Sequence, residues 1–200
     1  MIVTAYNRRR YLPDALKSLE RQTLGKEKFE VIVVKNFEDP VSDGIIRRNG
    51  WRWVYSDERF YGRFILAGAE EARGEVVTLL NDDDMYVPER LRMVEEAFKT
   101  MRELAYFHNE QIMVGEDGKP LEGQKDNGIS EPDLLIKDAS SACRHITSRF
   151  ANDSSIAVSS WVIHNLRPYL CHIKNEFDLA IVVGVMVIGG KILLSGKKLT

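Results

Sequence analysis

The sequence predicts an α/β fold with a mostly parallel central sheet flanked by helices, and three observations carry that prediction. Short β-branched and apolar runs recur at Ile2-Val3-Thr4-Ala5-Tyr6, Val31-Ile32-Val33-Val34 and Val76-Val77-Thr78-Leu79-Leu80, as in strands covered on both faces. Between them, apolar residues repeat at the spacing of one helix face. The resulting order over the first hundred residues, strand then helix and again, is the pattern of an α/β layer structure.

Each element has a local reason. Leu12, Ala15, Leu16 and Leu19 line one face of a first helix, with Pro13 near its start and Gly25 beyond its end. Residues 51–55 offer a short third strand. Residues 63–73 read as a helix stopped at Gly74. A further helix is expected to open at Pro88 and to present Leu91, Val94, Ala97, Phe98 and Met101 on one side. The second half is less regular. Residues 111–114 and 120–121 flank Glu116-Asp117-Gly118-Lys119, which reads as a hairpin with an Asp-Gly turn. Residues 123–132 form a polar, turn-rich candidate mobile loop, 156–163 a strand, and 177–188 an apolar helix ending at Gly189-Gly190.

Bulk properties narrow the function. At 200 residues the chain is expected to form one domain of two halves, 1–104 and 105–200, which the family resemblance described below implies to be nucleotide-binding and acceptor-binding. The formal net charge of −2 lacks the basic excess that nucleic-acid binding needs, so no nucleic-acid partner is expected. Cys143 and Cys171 have no metal-type spacing and read as inert thiols in a reducing compartment. No secretory h-region is visible, and the longest apolar stretch, 179–188, is far shorter than the ~20 residues of a membrane span. A soluble, cytoplasmic domain is expected. The four histidines share no ligand spacing and read as structural or exposed. Trp51, Trp53 and Trp161 read as core before sugar platforms.

The sharpest local signal is Asn81-Asp82-Asp83-Asp84, directly after the buried run Leu79-Leu80. In open α/β sheets, ligands bind beyond the carboxyl ends of the strands. Three consecutive carboxylates repel one another and call for a cation, a hydrogen-bond network or water. Mn²⁺ or Mg²⁺ takes oxygen ligands, commonly one or two carboxylates plus substrate phosphates. A solvated turn is the alternative. Capping of the next helix is a weaker one, because Pro88 places the cap near Val87.

Three segments together resemble the family 2 glycosyltransferases of GT-A fold. These are Val3-Thr4-Ala5-Tyr6-Asn7-Arg8 with Tyr11-Leu12 and Leu16-Ser18-Leu19-Gln22-Thr23; Ala72-Arg73-Gly74-Glu75-Val76-Val77 leading into the acidic run; and Met85-Tyr86-Val87-Pro88-Glu89-Arg90-Leu91. The resemblance implies a GT-A-like fold and an inverting, metal-assisted transfer. A sugar would pass from a UDP-, GDP- or dTDP-sugar to a hydroxyl on a glycan, lipid or small molecule. It implies that Thr4, Ala5 and Tyr6 meet the base and ribose, that Asp82 and Asp83 contact ribose or metal, and that Asp84 is the principal metal ligand. It also implies a catalytic base at the start of a late helix. Glu176, in Asn175-Glu176-Phe177-Asp178-Leu179, falls on that position, with Asp178 next. Carboxylates that merely complement the helix dipole are the alternative.

The chain departs from the family in places. Lys35-Asn36-Phe37 stands where relatives carry two aspartates and a glycine, leaving Asn36 to meet the base and Lys35 as a surface charge or a phosphate contact. Ile65 stands where relatives often carry an arginine, a role left to Arg63 or Arg8. Ser159-Ser160 before Trp161 resembles a segment lining the acceptor pocket. Relatives usually continue past the point where this chain stops, which suggests a fragment or a compact version. Peripheral association with the cytoplasmic face of a membrane would follow from a tail outside the 200 residues. Two other readings stay open: a catalytically inactive nucleotide-sugar or glycan-binding module, and a nucleotidyltransferase. The second is disfavoured because Asn7-Arg8-Arg9-Arg10 contains no glycine.

Overall fold

The computed structural model describes residues 1–116, 118–121, 133–138, 141 and 152–200. In chain order the strands are β1 (Ile2–Ala5), β2 (Ile32–Lys35), β3 (Arg52–Tyr55), β4 (Val76–Asn81), β5 (Leu104–Glu110), β6 (Leu134–Ile136), β7 (Ile156–Ser159) and β8 (Lys191–Lys198). The helices are α1 (Leu12–Glu20), α2 (Pro40–Arg48), α3 (Tyr61–Glu71), α4 (Arg90–Thr100), α5 (Ser160–Leu170) and α6 (Phe177–Val187). One eight-stranded sheet has the order β3-β2-β1-β4-β7-β5-β8-β6. The first four strands are mutually parallel, whereas β7 runs antiparallel between β4 and β5, and β6 antiparallel to β8.

Alternate residues of each strand feed opposite faces, because successive side chains in a strand point to opposite sides. Ile2, Val34, Leu79 and Val158 pack with Phe64, Leu166 and Phe177 under α3, α5 and α6. Val3, Val33 and Leu80 pack with Leu12, Leu16, Ile45 and Ile46 under α1 and α2. Phe107, Ala157 and Leu193 pack with Val94 and Ala97 of α4. The result is three layers. Two glycines permit close approaches. A Cβ on Gly68 would lie 2.7 Å from Val34 Cγ2, and one on Gly62 would lie 1.8 Å from the Leu170 carbonyl oxygen.

Several expectations are corrected. Residues 156–163 are not one strand: β7 ends at Ser159 and α5 begins at Ser160. The helix α2 falls where no helix is expected; Pro40 opens it and the Asp39 carboxylate accepts from the Ser42 N–H at 3.1 Å. α4 starts at Arg90 rather than Pro88. The hairpin narrows to a single bridge between Val114 and Pro120, with Asp117 outside the described residues. The loop 123–132, Cys143 and His145 also lie outside them. Trp53 and Trp161 are 51% and 42% exposed, not core. Among the described residues no helix is long and apolar enough to cross a membrane.

Candidate active site

The order of connections reverses at β1: β2 and β3 lie to one side and β4 to the other. Such a reversal opens a crevice beyond the carboxyl ends of the strands. The ends of β1, β2 and β4 put Thr4 to Tyr6, Asn36 and Asn81 to Asp84 on one rim. Thr4 and Ala5 are buried, and Tyr6, 40% exposed, sets its ring edge-on against Phe64 at 5.6 Å. Asn7 adopts a left-handed backbone, φ 57°, which Asn tolerates better than most residues. Its N–H donates to Asn36 Oδ1 at 2.8 Å, and the Asn36 amide returns a bond to Asn7 Oδ1 at 2.9 Å. This reciprocal pair turns the chain so that Tyr6 and Arg8 face the rim.

Arg8 is the cation of the acidic run. Its Nε and Nη2 donate to the two oxygens of Asp82 at 2.7 and 2.6 Å, and Nη2 lies 2.8 Å from Asp83. The pairing pushes the guanidinium pKa up. Burial still raises the Asp82 carboxyl above its usual range, because the desolvation cost exceeds what Arg8 returns. Asp84 is raised too, by burial first and with Asp83 and Asp82 adding to it, against a hydrogen bond from Ser154.

The antiparallel course of β7 explains a residue that the sequence reading missed. Ala157 pairs with Thr78, so the 3₁₀ turn Asp153–Ser155 that precedes β7 lies beside the acidic end of β4. The Ser154 hydroxyl accepts from the Asn81 N–H at 2.9 Å. Asp153 Oδ1 is buried with no hydrogen-bond partner. Burial raises this carboxyl to about 7, with the charges of Asp178, Asp84 and Glu176 adding to the effect. Tyr61 ties the rim together: its hydroxyl donates to Asn81 Oδ1 at 2.6 Å, and the Thr4 hydroxyl donates to the same oxygen at 2.8 Å.

The start of α6 closes the rim from the other side. The α3 N–H groups of Tyr61 and Gly62 donate to the carbonyls of Lys174 and Ile173 at 3.3 and 2.9 Å, satisfying donors that a helix start leaves open. The Tyr61 ring meets Phe177 edge-on at 6.1 Å. Glu176 follows as the N-cap of α6 in left-handed backbone, φ 58° and ψ 43°, a conformation that costs a non-glycine residue roughly 1 kcal/mol or more. It is exposed, whereas Asp178 is half-buried. A cleft of about 620 Å³ lies between Tyr6, Asn7, Arg59, Tyr61, Lys174 and Glu176. A second cavity of about 520 Å³, beside Met1, Glu75 and Val76, opens at the opposite end of the strands and holds none of these groups.

Family 2's sequence model, Glycosyl transferase family 2, matches residues 1–154. The chain belongs to this family. An uncharacterized glycosyltransferase of Nostoc sp. is 28% identical over 123 residues, which cover 58% of this chain and 38% of that protein. S. aureus TarS superposes with a TM-score of 0.75 at 17% identity, covering 99% of this chain and 35% of TarS. A TarS 1–349 complex with UDP-GlcNAc gives 0.73 at 19% identity. The mannosyltransferase PcManGT from Pyrobaculum calidifontis, in complex with GDP-Man and Mn²⁺, gives 0.66 at 12% identity, covering 53% of that chain. These likenesses show that the family 2 chain has the GT-A-type α/β fold. It spans little more than a third of the length of the Nostoc relative and of TarS.

Within that fold, Thr4, Tyr6, Arg8, Asn36, Asp82, Asp83 and Asp84 share the rim, and Tyr61 links it to the start of α6 through Asn81 and Phe177. Arg63 is turned elsewhere: its Nε donates to the Cys171 carbonyl at 3.0 Å and Nη1 lies 3.8 Å from Glu58. Ile65 is wholly buried. Lys35 is no surface charge. It is fully buried, with Nζ 2.6 Å from the Phe37 carbonyl, 3.0 Å from Asp43 and 4.4 Å above the Trp53 ring. Ser159 pairs with Val76 at the start of β4, so Ser159-Ser160 lies at the end of the sheet away from the acidic run.

Among the described residues no three His, Cys, Asp or Glu side chains are arranged to hold a metal by themselves. The donor chemistry nevertheless suits a hard cation: clustered carboxylate oxygens with raised pKa values, and a buried Asp153 oxygen with no partner. Mg²⁺ and Mn²⁺ commonly complete such a site with substrate phosphates.

Proposed function

We propose that the chain is an inverting glycosyltransferase domain that uses a nucleoside-diphosphate sugar and a divalent cation. The observation that carries this is the meeting of two carboxylate groups on one rim. Tyr61 joins the acidic run after β4 to the start of α6, its hydroxyl donating to Asn81 at 2.6 Å and its ring meeting Phe177 at 6.1 Å, and Glu176 lines one cleft with Tyr6, Asn7 and Tyr61. Transfer needs these two functions, one at the leaving group and one at the attacking hydroxyl.

In this reading Thr4, Ala5, Tyr6 and Asn36 receive the base and ribose. Asp84, with Asp82 beside it, would hold Mn²⁺ or Mg²⁺, and the bound cation would supply charge neutralisation for the diphosphate. Asp82 and Asp83, held by Arg8, border the ribose and the sugar. Glu176 takes the proton of the acceptor hydroxyl as its oxygen bonds the anomeric carbon. The bond from that carbon to the phosphate oxygen breaks, the nucleoside diphosphate leaves with the electron pair, and the configuration inverts. Asp178 is the next candidate for the base. The uracil of the TarS complex and the guanine of the PcManGT complex are both open choices for Asn36, whose amide can donate as well as accept.

The test is release of nucleoside diphosphate from UDP-GlcNAc and GDP-mannose, with Mn²⁺ and a panel of glycan, lipid and small-molecule acceptors. Acceptor-dependent release, lost in Asp84→Ala, supports the reading. Donor binding without release across the panel supports the inactive-module alternative, which the engagement of Asn36 with Asn7 favours.

A further inference from the structure

Among the described residues, most cations around the rim are committed. Arg8 is held by Asp82 and Asp83, and Arg9 donates to the Glu38 carbonyl at 3.2 Å. Arg10 pairs with Glu116 at 3.0 Å, Arg63 is turned to Cys171 and Glu58, and Lys35 is buried against Asp43. Two cations remain. Arg59 and Lys174 are exposed, line the same 620 Å³ cleft as Tyr6 and Glu176, and have no side-chain hydrogen bond or ion pair among the described residues. They are also neighbours by construction: the Lys174 carbonyl accepts from the N–H of Tyr61, two residues after Arg59. Glu58, the other carboxylate of the cleft beside Glu176, faces Arg63.

Two cations on adjoining backbones facing one cleft raise the local concentration of an anion there. A forked guanidinium and a mobile ammonium suit phosphate oxygens, the first bidentate and the second as a point charge. We propose that Arg59 and Lys174 form a two-sided clamp for the diphosphate of the donor, closing on it from α3's entry and from the loop before α6. This rests on the nucleotide-sugar reading above. It also gives that loop a double duty, because Glu176 follows Lys174 by two residues. Donor capture then draws the base-bearing segment onto the cleft.

The test is calorimetric titration of wild type, Arg59→Ala, Lys174→Ala and the double variant. The probes are UDP, GDP and dTDP with Mn²⁺, and for the tightest of them its monophosphate and nucleoside. Both side chains are exposed, so the variants are expected to melt like wild type, with Arg92→Ala as a distant charge control that keeps full affinity. Expected is a loss of about tenfold for the diphosphate in each single variant and about a hundredfold in the double, with the nucleoside unaffected. Diphosphate binding by the double variant within threefold of wild type overturns the clamp and leaves the transferase reading standing. Equal losses for nucleoside and diphosphate also overturn it, since they indicate general damage to the cleft. A wild-type protein that binds none of the three nucleotides overturns both.

Discussion

Replacing Asp153 by Asn is expected to stabilise the metal-free protein at alkaline pH and to leave it unchanged in acid. The carboxyl is raised from 3.8 to about 7 in the folded chain, and each unit corresponds to about 1.4 kcal/mol. Between the unfolded and folded values the native state binds more protons than the unfolded one. Stability therefore falls as pH rises from about 4 to about 7 and is then flat. The full difference is at most about 4 kcal/mol. Hydrogen bonding agrees with the direction: Tyr61 has one proton for two acceptors, and Asn81 Oδ1 holds it at 2.6 Å. An amide at position 153 keeps the size and removes the charge. With a chelator present, thermal melts of both proteins from pH 4 to pH 8.5 should diverge up to about pH 7 and keep a constant separation above it. The Asn variant is expected to gain roughly 2–4 kcal/mol, or about 4–16 °C, at the top of the range. Two melting curves that stay parallel across the range would refute the buried-carboxylate argument.

Four further outcomes follow from the same geometry. Gly62→Ala should lose more than about 2 kcal/mol by denaturant titration, since its Cβ would sit 1.8 Å from the Leu170 carbonyl; a neutral result would mean that α3 and α5 are not this close. Glu176→Gln should keep donor affinity and lose about 10²-fold or more in turnover, and normal turnover would move the base to Asp178. Glu176→Gly should lose turnover equally while holding or gaining about 1 kcal/mol, because glycine accepts the left-handed backbone; a clear loss of stability would contradict the strain at this position. Arg8→Ala should cost roughly 1–3 kcal/mol at neutral pH by leaving Asp82 buried and unpaired, with part of the loss restored by Mn²⁺; an unchanged midpoint would show that the pair does not form in solution.

Much of the first hundred residues is legible in the chain, because the signals there are local. The β-branched runs mark β1, β2 and β4, and the acidic run follows β4 directly, so the topology needs only the carboxyl-end rule to place a site there. The start of α6 is legible for the same reason, since Glu176 and Asp178 stand immediately before and within an apolar helix. What stays hidden depends on tertiary pairing. Residues 156–163 are apolar throughout except for Ser159-Ser160, so periodicity does not separate β7 from α5. The antiparallel direction of β7 cannot be read from composition, and without it Asn152-Asp153-Ser154-Ser155 is an ordinary polar turn rather than a wall of the site. Lys35 reads as a surface residue until α2 brings Asp43 within 3.0 Å. Arg63 reads as well aimed until α5's end at Cys171 captures its guanidinium.

The most direct test of the account is a thermal-shift comparison of wild type and Asp84→Ala with UDP, GDP, dTDP and ADP, each with and without Mn²⁺. A nucleotide at a hundredfold excess over its dissociation constant stabilises the native state by about 2.7 kcal/mol. The account predicts a Mn²⁺-dependent shift with one nucleotide in the wild type and its loss in Asp84→Ala. A Mn²⁺-dependent shift that survives in the variant would remove Asp84 from the metal site, and no shift with any nucleotide would contradict the donor site itself.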